Sequence, residues 1–451
     1  MAAEVEEFDV IVVGLGPGGE DVAGRLAEAG LAVAGVEANL VGGECPYWGC
    51  VPSKMMIRAA GLLAEGRRIP GMAGGAAVTS DWAPVARRIR EEATDNWNDK
   101  VAAARFTDKG GTLVRGRGRI TGPKEVTVDG ARTLRARRGV VISIGSQAAV
   151  PPIAGLAGTP YWTNHDAIET EQVPESLVVL GGGAIGAELA QVFARFGAEV
   201  TVIEAAERLL GPEEPEACEL VAKVFADEGM TVRTGTEVTR VDHHGAAFTV
   251  MTEDGSHRAE RLLIATGRRS DLAALGVGAI GLDESAHAIK VDEHMRAGEG
   301  VWAVGDVTGK GAFTHMSMYQ AEIALTDILG ERGPAASYHA VPRVTFTDPE
   351  VAAVGMTERE AREKGLAART AFTRLSSSAR GWIHRAEGFV KLVAVGRLLV
   401  GATTAGPYAG EMLSMLTLAV HSRVPIEQLK TMIYAYPTFH RAIEDTLRQL
   451  D

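Results

Sequence analysis

Cysteine is scarce in this sequence, with 3 in 451 residues. That is too few for the disulfide framework of a secreted scaffold and suits a reducing compartment. Basic residues are outnumbered 46 to 58, and a formal net charge of −12 argues against nucleic acid as a partner, because phosphate binding needs a basic surface. No uncharged apolar run reaches membrane-spanning length. The opening Met-Ala-Ala-Glu-Val-Glu-Glu-Phe has neither a basic n-region nor an apolar h-region, so no signal peptide is expected. These absences give the expectation of a soluble, cytoplasmic protein. The length implies two to four domains, each able to form its own core.

Glycine is plentiful, at 54 residues, which suits a chain whose backbone must approach cofactors closely. Phe8–Val13 reads as a short buried strand, followed by the turn Gly14-Leu-Gly16-Pro-Gly-Gly19 and a helical pattern to Ala29. A second strand, 32–36, ends at Glu37. Strand, glycine turn, helix, strand and acid make the dinucleotide fingerprint. Its glycines admit a pyrophosphate, the helix N-terminus attracts that anion, and the carboxylate accepts a ribose hydroxyl. The pattern recurs as a strand at 177–180, the turn Gly181-Gly-Gly183-Ala-Ile185-Gly186, a helix at 187–196 and a strand at 200–203 ending at Glu204. Two intact copies imply two dinucleotides, and hydride transfer between a flavin and a nicotinamide is the natural pairing.

Between the copies, 82–106 reads as one long helical stretch. Asp129-Gly130 and Asp254-Gly255 mark hairpins. Arg135, Arg137 and Arg138 read as a solvated strand edge in preference to an anion patch. Cys218 lies in a helical pattern as an ordinary thiol.

The stretch Gly42-Gly43-Glu-Cys45-Pro-Tyr47-Trp48-Gly-Cys50-Val-Pro-Ser-Lys54 sets two cysteines five positions apart just after the first fingerprint. Thiols at that separation can meet and close a disulfide. A helix starting here would favour the reactive thiolate form. Taken alone, the cysteines are equally readable as buried structural thiols or half of a zinc site, although no second Cys/His pair follows at ligand spacing. The glycines and the adjacent fingerprint favour a redox disulfide. Tyr47 and Trp48 either line a pocket or simply pack.

This stretch closely resembles the signature of the class I pyridine nucleotide-disulfide oxidoreductases, which include dihydrolipoamide dehydrogenase, glutathione reductase and mercuric reductase. The resemblance runs from about Phe8 to the C-terminus. It implies an α/β fold with two Rossmann-like dinucleotide-binding domains and a C-terminal α+β dimerisation domain. The expected boundaries are 1–150 for the first part of the FAD domain, 151–272 for the NAD(P) domain, 273–337 for the second part of the FAD domain and 338–451 for the interface domain. By the same resemblance Cys50 would face the flavin and Cys45 would meet substrate. Lys54 would lie at the flavin's reactive edge, paired with Glu188. Gly14, Gly16, Gly19, Glu37, Gly43, Gly145, Asp306 and His315 would serve FAD; Gly181, Gly183, Ile185, Gly186, Glu204 and Gly267 would serve the nicotinamide cofactor. Gly305-Asp306, after the apolar run from Val301, looks like the second FAD motif, with the aspartate on the ribityl chain. Glu204, followed by Ala205 and Ala206, favours NAD(H) over NADP(H), with Arg208 the one basic residue nearby. A homodimer with a shared active site, acting on a small molecule, is expected.

One departure stands out. Relatives carry His-x-His-Pro-Thr-x-x-Glu near the C-terminus, where the second histidine, oriented by the glutamate, shuttles the interchange thiol's proton. This chain has Tyr434-Ala-Tyr436-Pro437-Thr438-Phe-His440-Arg441, so Tyr436 takes the histidine's place and Arg441 the glutamate's. An unperturbed tyrosine titrates at about 10 and is mainly a donor. Tyr436 reads either as a catalytic donor or as packing. His440 reads either as a substitute base or as a surface histidine.

The leading expectation is an FAD-dependent NAD(P)H oxidoreductase that passes electrons to a Cys45–Cys50 disulfide and on to a thiol, disulfide or other electrophile. The missing base weakens a plain dihydrolipoamide dehydrogenase. The chain's last residues, Arg-Gln-Leu-Asp, lack mercuric reductase's vicinal cysteines. The alternatives are direct quinone reduction from the flavin, carbon–sulfur chemistry like that of 2-ketopropyl coenzyme M oxidoreductase/carboxylase, which also lacks the histidine, and a flavoprotein binding subunit. No metal is expected.

Overall fold

The computed structural model describes residues 5–450. The chain forms two compact units. One comprises the residues up to Ser53, Ala86–Ala149 and Gly267–Ser337; the other comprises Lys54–Val85, Val150–Thr266 and the chain from Tyr338 on.

The first unit is built on an eight-stranded sheet. Its path runs Arg296–Gly298, Val301–Ala303, Arg132–Ile142, Val5–Val13, Val33–Glu37 and Thr112–Arg115. The strands from Val301–Ala303 to Thr112–Arg115 run parallel, with Val10 opposite Val33 and Val12 opposite Val141. Parallel strands covered on both faces read as continuous apolar runs, and Val10, Ile11 and Val12 are fully buried. The helix Pro17–Glu28 follows the first glycine turn, with proline pre-set at its start.

The hairpin at Asp129-Gly130 forms between Glu125–Val128 and the lower half of Arg132–Ile142. That strand is therefore interior, flanked by Val5–Val13 on its other side, and the expected solvated edge at Arg135–Arg138 is corrected. The arginines are tolerated because carboxylates flank them: Arg135 pairs with Glu125 at 2.9 Å and Arg137 with Asp9 at 3.1 Å.

The single long helix expected over 82–106 is also corrected. Helix Ala83–Arg88 widens into a π-turn at Ile89–Ala93 and then stops; a second helix, Lys100–Asp108, follows. The Thr94 hydroxyl donates to Ile89 O and Arg90 O at 3.0 and 3.1 Å, competing for helix carbonyls. Asp95, Asn96 and Trp97 then adopt positive φ, and Asp99 accepts from the Val41 amide at 2.7 Å.

In the second unit, a four-stranded parallel sheet runs Thr231–Arg233, Glu199–Ile203, Ser176–Leu180 and Arg261–Ile264. A three-stranded antiparallel sheet, Val238–His244, Ala247–Thr252 and Gly255–Ala259, packs with it around Phe248, Val250 and Leu262. The helix Cys50–Arg68 delivers most of its length to this unit, where Arg67 donates to Arg195 O at 2.9 Å. Trp82 meets Phe196 edge to face at 4.9 Å and Phe193 at a tilt at 5.6 Å between ring centroids.

The C-terminal part is a five-stranded antiparallel sheet in the order Pro342–Thr345, Glu350–Gly355, Leu398–Gly406, Phe389–Val395 and Ala368–Arg374. Helices Ala409–His421 and His440–Leu447 complete its core around Leu416, Ile443 and Leu447. Lys391 is a buried charge in this sheet, and its ammonium lies 2.8–3.0 Å from Glu214, Glu216 and Glu358. Burial alone would lower its pKa, but the three carboxylates raise it above the ordinary lysine range.

Lys391→Met should strand the buried Glu214 carboxylate and cost about 3–5 kcal/mol. Adding Glu214→Gln should recover part of the loss. Denaturation midpoints of the two variants check this; a Lys391→Met protein as stable as the parent would mean that the cluster is not holding these elements together.

Candidate active site

The two fingerprints fold into near-copies. Gly14 has φ +91°, and an added Cβ would lie 2.3 Å from Ser143 O; Gly181 has φ +103° and would meet Ala265 O at the same 2.3 Å. A Cβ on Gly19 would lie 2.0 Å from Gly14 O, and one on Gly186 would lie 1.9 Å from Gly181 O. These glycines press each helix onto its strand. Gly16 and Gly183, by contrast, face open space and begin helices that carry no side-chain cap. Uncapped amides beneath an open glycine form a ready anion cradle. Ile185 is exposed in the first turn of the second helix.

The acids match as well. Glu37 accepts from Leu15 N and Asn39 N, both at 2.7 Å. Glu204 accepts from Gly182 N at 2.6 Å and Ala206 N at 2.7 Å. Burial pushes the Glu37 carboxyl up, opposed by its backbone donors. Both sites thus fit a dinucleotide in their own residues.

Gly43 starts the short helix Glu44–Tyr47, and a Cβ on it would sit 2.8 Å from Gly16 Cα. Gly145, φ +63°, and Gly267, φ +121°, both face open space. Asp306 follows the strand Val301–Ala303 and accepts from the Ser146 hydroxyl; Ser146 in turn accepts from Arg268 Nε at 2.9 Å, and Arg268 pairs with Glu44 at 3.4 Å. Arg268 was not among the sequence candidates, yet it joins the aspartate to the cysteine segment.

Cys45 and Cys50 are present as thiols. A hydrogen bond to Cys50 is the largest influence on Cys45, and with burial it raises the Cys45 pKa. Cys50 opens the helix Cys50–Arg68, where the helix dipole favours a thiolate. Thr314 touches both sulfurs: its Oγ1 is 3.3 Å from Cys50 Sγ, and its hydrogen bond to Cys45 opposes that thiol's rise. Thr314 is the first residue of the 16-residue helix Thr314–Leu329. Sequence reasoning had named its neighbour His315, which is exposed and stacks on Phe313 at 5.1 Å. No spacing rule connects residues 264 positions apart, so Thr314 carried no sequence signal. Tyr47 is buried, with Trp48 5.9 Å away.

In the second unit the Lys54 ammonium pairs with Glu188 at 2.8 Å and lies 4.7 Å from the Phe346 ring centroid. The other Glu188 oxygen accepts from Phe346 N at 2.8 Å, and this carboxylate is buried. Cys218 is buried and bonds to backbone carbonyls, with burial pushing its thiol up. Near the C-terminus, Tyr436 is 73% exposed. The Arg441 guanidinium lies 5.9 Å from its ring centroid. His440 lines a separate cavity of about 280 Å³ with Arg380, Tyr408 and Phe439. Glu444, which sequence reasoning also passed over, is buried and ion-paired with both Arg441 and Arg448. Among the described residues there is no group of three or more His, Cys, Asp or Glu placed to hold a metal ion, and no helix is long and apolar enough to cross a membrane.

Comparison with known proteins agrees with this geometry. Residues 8–322 match the pyridine nucleotide-disulphide oxidoreductase family, and residues 341–447 match that family's dimerisation domain. Mercuric reductase from Acidithiobacillus ferrooxidans is 33% identical over 448 residues, covering 96% of this chain and 81% of that enzyme. Dihydrolipoyl dehydrogenase from Chlorobaculum tepidum is 31% identical over 454 residues, covering 97% and 96%. Among solved structures, the HOCl-induced flavoprotein disulfide reductase RclA from Escherichia coli superposes with TM-score 0.87 at 26% identity, covering 98% of this chain and 100% of that one. LpdA from Mycobacterium tuberculosis superposes with TM-score 0.86 at 25% identity, covering 99% and 100%. With two dinucleotide cradles, a hydrogen-bonded cysteine pair and these relatives, the chain belongs to the pyridine nucleotide-disulphide oxidoreductases, enzymes that use FAD and a pyridine nucleotide in disulfide oxidoreduction.

Proposed function

We propose that this enzyme draws electrons from NADH, stores them as the Cys45/Cys50 dithiol and delivers them to a small thiol-reactive acceptor. The observation that carries the reading is the Cys45–Cys50–Thr314 cluster at the start of the helix Cys50–Arg68. Bound FAD would supply the two-electron relay between nicotinamide and sulfur. Gly14, Gly16, Gly19, Glu37, Gly43, Gly145 and Asp306 would hold it, with His315 at the margin of that site. Gly181, Gly183, Ile185, Gly186, Glu204 and Gly267 would hold the nicotinamide dinucleotide. Lys54, fixed by Glu188, keeps a cation available for negative charge that develops nearby.

The roles of the two sulfurs follow from their surroundings. Cys45, its pKa raised, holds a proton more firmly and becomes the attacking thiol once that proton is removed. Cys50 keeps the negative charge, with the helix N-terminus and the Thr314 hydroxyl to stabilise it. In a homodimer, Tyr436 would stand near the partner subunit's Cys45 and donate a proton to the departing thiolate. His440, set in its own cavity, is the weaker candidate. A cytoplasmic location is part of the same proposal, because a reducing compartment keeps such a pair poised.

Direct quinone reduction is the second reading, and the replacement of the histidine–glutamate pair by Tyr436 and Arg441 favours it. Such a reaction needs no base beside a thiol. The double variant Cys45→Ser, Cys50→Ser separates the two, since quinone reduction survives in it only if the sulfurs are bypassed.

Three outcomes are expected. Anaerobic NADH titration should give a long-wavelength thiolate-to-flavin absorbance band at two electrons per flavin; direct bleaching without the band would reject the cysteine mechanism. Thr314→Val should weaken that band at pH 7 and regain it as pH rises, because a hydrogen bond to a charged sulfur worth about 1.5–3 kcal/mol is lost. An unchanged pH profile would remove Thr314 from the mechanism. Glu204, held as Glu37 is held and followed by two exposed alanines, should favour NADH over NADPH in kcat/KM by about tenfold or more, about 1.4 kcal/mol. Equal use of both would refute that assignment.

A further inference from the structure

The helix Ala184–Arg195, whose first turn forms the second dinucleotide cradle, buries three polar side chains, Glu188, Gln191 and Arg195. All three grip one short piece of chain, residues 346–348. A Glu188 oxygen accepts from Phe346 N at 2.8 Å. The side-chain amide of Gln191 accepts from Asp348 N at 2.7 Å and donates to Asp348 O at 2.8 Å. Arg195 reaches the Asp348 carboxylate at 2.9 Å, and Arg68 pairs with the same oxygen. Burial pushes the Asp348 carboxyl up, but these two guanidinium groups hold it below the ordinary carboxylate range. With Glu228 also on Arg195, two cations meet two anions, and this end of the clasp is neutral. A buried hydrogen-bond network of this kind favours a single arrangement.

Lys54 forms the other end. Its ammonium takes the second Glu188 oxygen at 2.8 Å and lies 4.7 Å from the centroid of the Phe346 ring. Phe346 therefore acts on the pair twice, since its amide orients the carboxylate and its ring attracts the cation. The Lys54–Glu188 pair carries no net charge, so its effect on a neighbouring charge depends on which end is nearer. Lys54 stands four residues after Cys50 in the helix Cys50–Arg68, and positions i and i+4 share a helix face. The cationic member is thus the one on the helix of Cys50, while Glu188 belongs to the other helix.

We infer that Phe346 is a positioning residue of the redox centre: holding Glu188 by its amide and Lys54 by its ring, it sets the ammonium where it supports the Cys50 thiolate. This rests on the proposed dithiol mechanism and deepens it. Phe346 acts only through Lys54. The bonds of Gln191 and Arg195 to Asp348 keep the segment in register with the nucleotide helix. The strand Pro342–Thr345 leads directly into Phe346, so the C-terminal sheet takes part in setting the charge beside the thiolate.

The test reads the pH at which the thiolate-to-flavin band reaches half its height. It uses FAD-loaded enzyme reduced with dithionite to two electrons per flavin, with no nicotinamide present. Cys45 and Thr314, which also face the Cys50 sulfur, stay intact in every variant. Phe346→Leu should raise that pH by about half a unit, about threefold in the thiolate equilibrium. Phe346→Met should do the same, so a folding failure of one leaves the other to decide. Phe346→Tyr, which keeps an aromatic face, should keep the parent value, and Lys54→Met should raise it further than Phe346→Leu does. A purely structural role would lower the melting temperature without moving the band. If Lys54→Met shifts the band and neither Phe346→Leu nor Phe346→Met does, the inference is overturned. If Lys54→Met leaves the band in place, the inference falls together with the role given to Lys54. If the parent enzyme shows no band, it falls with the cysteine mechanism itself, so the three failures are distinguishable.

Discussion

Both nucleotide sites depend on one constraint: a carboxylate at the end of the second strand is tied back to the backbone of the glycine turn after the first. Glu37 holds Leu15 N and Glu204 holds Gly182 N. The tie holds the turn in a conformation where Gly19 and Gly186 lie against backbone oxygen, with the helix amides starting beneath the open Gly16 and Gly183. A carboxylate buried as Glu37 is would resist ionisation if left alone. Its backbone donors offset part of that cost, so the acid serves as a structural latch on the turn.

This also explains what was legible in the sequence. Glycine spacing, apolar strands and terminal acids act within about twenty residues of one another, and the two α/β cradles could be read from that pattern alone. The cysteine segment was legible for the same reason. Thr314 was not, because its contact with Cys50 is made by tertiary packing of a helix that begins 264 residues later. Glu444 was hidden differently: it stands three positions past the place where a glutamate was sought, and helical spacing carries it back to Arg441. The break after Ala93 was marked in the sequence by Thr94-Asp95-Asn96 and Asn98-Asp99, poor helix formers that favour turns and caps, and Thr94 takes the carbonyl bonds that would have continued the helix.

Charge is placed with similar economy in the second unit. Lys54, Lys391 and Arg195 each meet at least one buried or half-buried carboxylate, so none sits uncompensated. The three differ in access. Lys391 is sealed among three acids and contributes to cohesion. Arg195 is tied to Glu228 and Asp348. Lys54 alone remains 36% exposed opposite a carboxylate that is 6% exposed, and an exposed ammonium on a fixed anchor is the arrangement that can still respond to a ligand.

The cysteine pair extends this asymmetry to chemistry. Cys45 and Cys50 share a hydrogen bond, and two coupled thiols lose their protons as a pair, with the first charge settling where it is best supported. Helix N-terminus and Thr314 support it at Cys50; burial opposes it at Cys45. On the proposed mechanism the Cys50 sulfur would hold the charge while Cys45 must be relieved of its proton before it attacks. Where the family resemblance leads one to expect a histidine for that step, this chain has Tyr436, and a neutral phenol is mainly a proton donor.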